Sequence, residues 1–189
     1  MTMTLIKPPA VEPVTLAEVR QFLRLDNDSE DVLLGGLIKA ARETLEMQTG
    51  LALISQEWRL YPDSWPKNGI VRIAKYPVRS VVAVTAYIED GTPVPIAGDD
   101  LHLSGYARPA RLYLAARSRP ARPLGGLEID FVAGFGETGA GVPDALRHAI
   151  STLVAHWYEF RGVYGSAQQP VSYPPAFERA VGLWRRVSL

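Results

Sequence analysis

The 189-residue chain contains no cysteine, which excludes disulfide bonds, thiolate metal ligands and cysteine nucleophiles. It has no excess of charge either, because 20 Lys and Arg residues balance 20 Asp and Glu residues. A dedicated DNA binder is normally basic, so the chain as a whole lacks the field that draws such proteins to DNA or to anionic membranes. No apolar run approaches the roughly 20 residues that span a bilayer, and the first residues lack the apolar core of a signal peptide. We therefore expect no membrane partner, and the composition is compatible with assembly in a reducing cytoplasm.

The residues that could take part in catalysis or metal binding do not form a known motif. His148 and His156 lie eight residues apart on one predicted helix, about 12 Å along its axis, which is too far to share a metal ion. The glycine-rich stretch 134–139 fits neither a dinucleotide-binding loop nor a phosphate-binding P-loop. Asp99 and Asp100 are explained by a turn. The sequence therefore predicts no catalytic residues, no metal site and no cofactor.

Helical patterns occupy the two ends of the chain. Thr15 and Glu18 form a capping-box pattern that starts a helix over about 15–25. Apolar residues then keep a helical period over about 29–49, where Gly50 supplies a C-terminal cap, and again over about 143–161. The glycine pair at 35–36 is costly inside a helix, and we expect it to permit close approach of a neighbouring backbone.

The middle of the chain, about 54–133, has a period of two and frequent turns, which indicates an antiparallel β region. The strand candidates begin near Ile54 and continue over 70–73, 78–88, 101–103, 111–114 and 127–132. A dense basic stretch follows the fifth of these, with Arg117, Arg119 and Arg122 as its cations. These arginines are candidates for contact with DNA or with a neighbouring copy, and a solvated loop is the alternative.

The chain ends in a strap and a short amphipathic segment. Phe177, Val181 and Trp184 recur at helical spacing and form one apolar stripe, while Arg179, Arg185 and Arg186 point elsewhere. A helix this short is not stable alone in water. It must lie on a surface, which is either its own domain or another subunit.

The fold class predicted from these patterns is α+β. An N-terminal helix pair and a long C-terminal helix form a helical core, an antiparallel β region is inserted between them, and a docking segment ends the chain. Residues 1–162 are expected to form a single domain, and residues 163–189 the strap and the docking segment.

Several sequence pieces resemble one family in their order and spacing. They are Thr15-Leu-Ala-Glu-Val-Arg-Gln-Phe-Leu-Arg-Leu25, Leu37-Ile-Lys-Ala-Ala-Arg-Glu43, Gln56-Glu-Trp-Arg-Leu60, Phe131-Val-Ala-Gly-Phe-Gly136 with Val142-Pro-Asp-Ala-Leu-Arg147, and Leu153-Val-Ala-His-Trp-Tyr-Glu159. Together they resemble the head–tail connector (adaptor) proteins of long-tailed phages and of phage-derived gene transfer agents, over nearly the whole chain.

The resemblance implies a structural protein of the virion, or of a virus-like particle, at the head–tail junction. It implies a homo-oligomeric ring, typically of twelve copies, between a portal protein and a stopper or tail-completion protein. DNA would pass through the lumen without specific binding. The C-terminal segment would bind the portal, and its candidate portal-binding residues are Phe177, Arg179, Val181, Leu183, Trp184, Arg185 and Arg186.

Two other functions remain open at this stage. The first is a DNA-binding packaging accessory that uses the arginines of the basic stretch. The second is a particle-associated enzyme, for which carboxylates would have to converge in a deep pocket.

Overall fold

The computed structural model describes residues 1–115, 122, 124–161 and 173–185. The chain divides into two compact units, and the α+β class is confirmed. Met1–Ala10 and Ser55–Phe135 form the unit that we call the β unit. Val11–Ile54 and Gly136–Leu189 form the helical unit.

The helical unit contains four α-helices in the described part of the chain. They are α1 (Leu16–Leu23), α2 (Asp31–Thr49), α3 (Asp144–Phe160) and α4 (Pro175–Gly182). Helix α2 packs against α3, α1 contacts both of them, and α4 lies mainly against α3. The fully buried side chains include Leu34, Leu45, Leu146, Ile150 and Leu153, which follow the apolar period of the sequence.

The start of α1 and the end of α2 form as the sequence predicts, whereas α2 begins after Glu30 without a side-chain cap. The Thr15 hydroxyl accepts a hydrogen bond of 3.2 Å from the Glu18 amide, and the Glu18 carboxylate accepts one of 2.7 Å from the Thr15 amide. At the end of α2, Gly50 adopts a left-handed conformation with φ 72°. Its amide donates to the Glu46 carbonyl at 2.9 Å. These caps satisfy backbone groups that the helix itself leaves without partners.

The expectation for the glycine pair in α2 is wrong. A Cβ added at Gly35 or Gly36 would meet no atom of another element within 4 Å, and both residues are exposed. No close backbone approach therefore requires glycine at either position within the described structure.

The β unit contains eight strands in its described part. They are β1 (Thr2–Lys7), β2 (Gln56–Tyr61), β3 (Ile70–Ile73), β4 (Val78–Tyr87), β5 (Pro93–Pro95), β6 (Leu101–Ser104), β7 (Ala110–Leu114) and β8 (Leu127–Ala133). A five-stranded sheet has the order β1-β2-β8-β4-β5, and a three-stranded sheet has the order β3-β7-β6. All the pairs between these strands are antiparallel, as the sequence predicts.

Strand β1 lies outside the β region that the sequence predicts from residue 54 onward. Its residues pair with β2 in a register that places Thr2 opposite Tyr61 and Leu5 opposite Trp58. Five of its six side chains are exposed, so the backbone pairing and not a buried face holds it in the sheet. An edge strand of this kind carries little of the alternation that reveals a half-buried strand.

The centre of the five-stranded sheet is β8, which lies between β2 and β4. Its side chains alternate, with Leu127, Ile129, Phe131 and Ala133 all fully buried. This period of two provides the apolar face on which the sheet is built.

Candidate functional site

Helix α4 uses its apolar stripe inside the helical unit. Phe177 and Val181 are each 0% exposed, and the Phe177 ring lies 5.2 Å from that of Tyr173. Pro175 begins the helix, where its missing amide costs nothing. Of the two surfaces considered for this segment, the described structure places it on its own domain.

Exposed residues of α4 and of the turn that follows it remain available to a partner. Arg179 is exposed, and Leu183 is 85% exposed, which is unusual for a large apolar side chain. Arg185 is also exposed and donates a 2.6 Å hydrogen bond to the Gln48 side chain, and Trp184 is half-buried. Arg186 lies outside the described residues.

The basic stretch predicted as a contact site is described only in part. Arg122 is exposed, whereas Arg117 and Arg119 lie outside the described residues.

A buried ion-pair network holds α2 to the segment that precedes α1. Arg42 is 4% exposed and donates to Glu12 at 2.7 Å and to Glu46 at 3.0 Å. Glu46 in turn accepts a 2.7 Å hydrogen bond from the Leu53 amide. Burial disfavours the charged form of Arg42, but its hydrogen bond to Glu12 and the charge of Glu46 outweigh that effect and raise the pKa of Arg42. The network therefore has a structural role.

A second charged cluster joins α3 to the start of α1. The guanidinium of Arg147 donates to the carboxylate of Glu18 and, at 3.2 Å, to the Pro13 carbonyl. The hydrogen bond from the Thr15 amide lowers the pKa of Glu18, and Arg147 lowers it further. This carboxylate is thus held in its charged form, which suits a capping residue and not a general acid.

A comparable pair joins two strands of the β unit. Arg59 on β2 donates two hydrogen bonds, of 2.7 and 2.8 Å, to the carboxylate of Asp130 on β8. Beside them, the Tyr87 hydroxyl donates to Glu128 at 2.9 Å, which raises the pKa of Tyr87. The bidentate geometry ties the two strands together.

The histidines contact aromatic rings. His102 stacks on Tyr113, His148 meets Phe22 edge-on at 5.8 Å, and His156 lies 4.9 Å from Phe160. Among the described residues, no group of three or more His, Cys, Asp or Glu side chains could hold a metal ion. Within the same part of the chain, no helix is both long and apolar enough to cross a membrane.

The outer face of the three-stranded sheet, which we call the basic face, is formed by two rows of side chains. One row runs Ile70, Tyr113, His102, and the other runs Arg72, Arg111, Ser104. Five of these side chains also line a shallow cleft of about 260 Å³. The sequence predicts the three strands but not this face, although the alternation of Arg72 with buried Val71 and Ile73 is a signal for it.

The charged clusters of the described structure thus hold parts of the fold together. Residues 13–92 match the family of phage gp6-like head–tail connector proteins. The resemblance stated from the sequence is thereby confirmed.

Three solved structures are similar over the whole chain. One is the neck of an empty gene transfer agent (GTA) particle with C6 symmetry, with a TM-score of 0.82 at 28% identity. Another is the virion of a native GTA particle, with a TM-score of 0.83 at 28% sequence identity. A third is the neck of a native GTA particle with C12 symmetry, with a TM-score of 0.79 at 29% sequence identity. Each match covers 100% of this chain and 97% of the other. No curated protein sequence matches the chain significantly.

Proposed function

We propose that this protein is a structural head–tail connector of a phage or gene transfer agent particle. The observation that carries the proposal is the similarity of the whole chain to chains of GTA necks, at 28–29% identity. The family match over residues 13–92 supports the same role. The protein acts in assembly and not as an enzyme, and it is located at the head–tail junction of a particle assembled in the bacterial cytoplasm.

In this proposal the chain forms a homo-oligomeric ring, and the C12 symmetry of one similar neck structure supports twelve copies. The ring lies between a portal protein and a stopper or tail-completion protein, and DNA passes through its lumen. Residues 1–162 form the connector domain, with the helices as its core and the β region inserted. The strap and docking segment over 163–189 reach the portal.

The burial of α4 divides the candidate portal-binding residues into two sets. Phe177 and Val181 anchor the helix on its own unit. Arg179, Leu183 and Arg185 are exposed and form the surface offered to the portal. Leu183 supplies an apolar contact of the kind that binding desolvates, and the arginines supply charge-assisted hydrogen bonds.

A complementation assay tests this surface. Particles are assembled with Arg179→Glu/Leu183→Asp in place of the original chain, and tail attachment to filled heads is counted. We expect a folded protein that fails to join heads, because both changes lie at exposed positions. Lys39→Glu, a charge change at an exposed position of α2, is the matched control and should attach normally. Normal attachment by the double variant would overturn the role of this surface.

Deletion of residues 174–189 is a less specific test. It removes Phe177 and Val181 and so exposes the apolar surface of α3 that α4 covers. The point variants separate loss of docking from loss of stability, which the deletion cannot do.

A further inference from the structure

The basic face has two cations that its own described surroundings do not neutralise. Arg72 and Arg111 lie directly opposite each other on β3 and β7, and both are exposed. Like charges in this position destabilise a sheet. Neither arginine makes an ion pair with another residue of the described structure. An anionic partner would remove this cost.

Charge is divided unequally between the two units. Residues 64–88 and 101–127, which contain all three strands of the basic face, hold nine Lys and Arg residues and no Asp or Glu. The β unit as a whole has eleven basic and eight acidic residues, and the helical unit has nine basic and twelve acidic residues. The net charges are therefore about +3 and −3, which cancel in the complete chain.

The helical unit presents a counterpart to the arginine pair in the turn between α1 and α2. Asp26 and Asp28 are exposed there, and neither lies within ion-pair distance of a described cation, although the charge of Asp28 acts on Arg20 of the same unit. The turn thus offers two negative charges close together in the chain, as the basic face offers two positive charges on neighbouring strands.

We propose that the basic face of one copy docks on the Asp26–Asp28 turn of a neighbouring copy. The inference rests on the proposed ring and names its interface. A ring requires a heterologous contact, in which each copy contributes two different surfaces. Interface centres are generally enriched in Tyr and Arg and depleted in Lys. The basic face has this composition, because it contains Tyr113, Arg72 and Arg111 and no Lys. Twelve such contacts would bury the exposed cations without making the assembled ring basic.

The absence of cysteine from the chain permits a clean cross-linking test. Ser29, in the acidic turn, and Ser104, in the basic face, are both replaced by cysteine in one chain. A short bismaleimide is then added to the concentrated full-length protein and to assembled particles. We expect a ladder of covalent oligomers, because a cross-link within one copy does not raise the mass. Met47→Cys/Ser104→Cys, with a cysteine at an exposed position of α2, is the control and should give no ladder.

Charge reversal provides the second arm of the experiment. In the double-cysteine background, Arg72→Glu/Arg111→Glu should reduce the yield of oligomers by more than about tenfold, because like charges then face each other across the contact. Addition of Asp26→Lys/Asp28→Lys to the same chain restores complementarity and should restore the ladder. Loss of folding cannot produce such a rescue.

The outcomes separate this inference from the proposed function. If no covalent oligomers formed in either sample, or if charge reversal left their yield unchanged, the proposed contact would be wrong. If native particles lacked the chain, the proposed function would be wrong. Cross-linking of the purified protein would still test the proposed contact between copies. DNA would instead be the occupant if Arg72→Glu/Arg111→Glu left the ladder intact and abolished salt-dependent binding of the protein to a duplex.

Discussion

The helical unit and the β unit use their arginines differently. In the helical unit, Arg20, Arg42, Arg147 and Arg161 all form ion pairs with carboxylates of the same unit. In the β unit, Arg59 does the same, but Arg72 and Arg111 face solvent without an ion pair to any described residue. Removal of one partner of an internal pair destabilises a fold, whereas unpaired surface cations are free to select a partner. The net charge of zero therefore conceals a difference between these four arginines of the helical unit, which carboxylates of the same unit neutralise, and Arg72 and Arg111, which face solvent.

The largest effect expected from this contrast is at Arg42. Arg42→Met leaves Glu46 buried without its cation, which should cost about 3–5 kcal/mol of unfolding free energy. Arg72→Met removes an exposed cation from the β unit and should change stability by less than about 0.5 kcal/mol. Urea denaturation of the two variants measures the difference. Equal losses would show that the contrast between the units has no energetic basis.

The next effect concerns the anchor of α4. Phe177→Ala empties a fully buried site and should cost about 3 kcal/mol of the free energy that holds α4 on α3. Hydrogen exchange should then show loss of protection in α4. Leu183→Ala, at an exposed position of the same segment, is the control and should leave protection unchanged. Persistent protection in Phe177→Ala would mean that another contact holds the helix.

A smaller effect is expected at the internal pair of the β unit. Asp130→Asn weakens the bidentate contact with Arg59, and because Arg59 is about one-third exposed, the cost should be about 1 kcal/mol. Urea denaturation measures this cost, and Asp90→Asn in an exposed turn is the comparison. If Asp130→Asn lost as much unfolding free energy as Arg42→Met, the internal ion pairs of the two units would be equally important for stability.

The smallest effect is a pH dependence at Glu18. Its pKa in the folded protein is lowered, so it contributes stability above its unfolded pKa and loses that contribution as the pH falls through its folded value. Glu18→Gln keeps the cap acceptor but cannot titrate. At pH 7 it should be less stable by under about 1 kcal/mol, because the carboxylate is partly exposed. Denaturation at pH 7 and pH 3 should show the difference shrinking in acid, and a constant difference would contradict the assignment.

Much of the fold could be predicted because its signals are local. Thr15 with Glu18, and Gly50 after α2, satisfy backbone groups within a few residues of themselves, so the sequence alone indicates these helix ends. The same holds for β8, where a buried face imposes strict alternation.

The features that escaped prediction depend on distant contacts. Strand β1 pairs with residues fifty or more positions away and buries little of its own surface. The stripe of α4 could be recognised, but which surface covers Phe177 depends on how α3 is placed. Arg72 and Arg111 become neighbours only through strand pairing, so the basic face has no contiguous motif in the sequence.

A cryo-electron-microscopy reconstruction of the purified native particle would show whether this chain forms a ring in the neck. We expect a ring of this chain between portal and tail, with residues 174–189 against the portal. Particles in which the chain is missing from the neck, or is found elsewhere, would contradict this expectation.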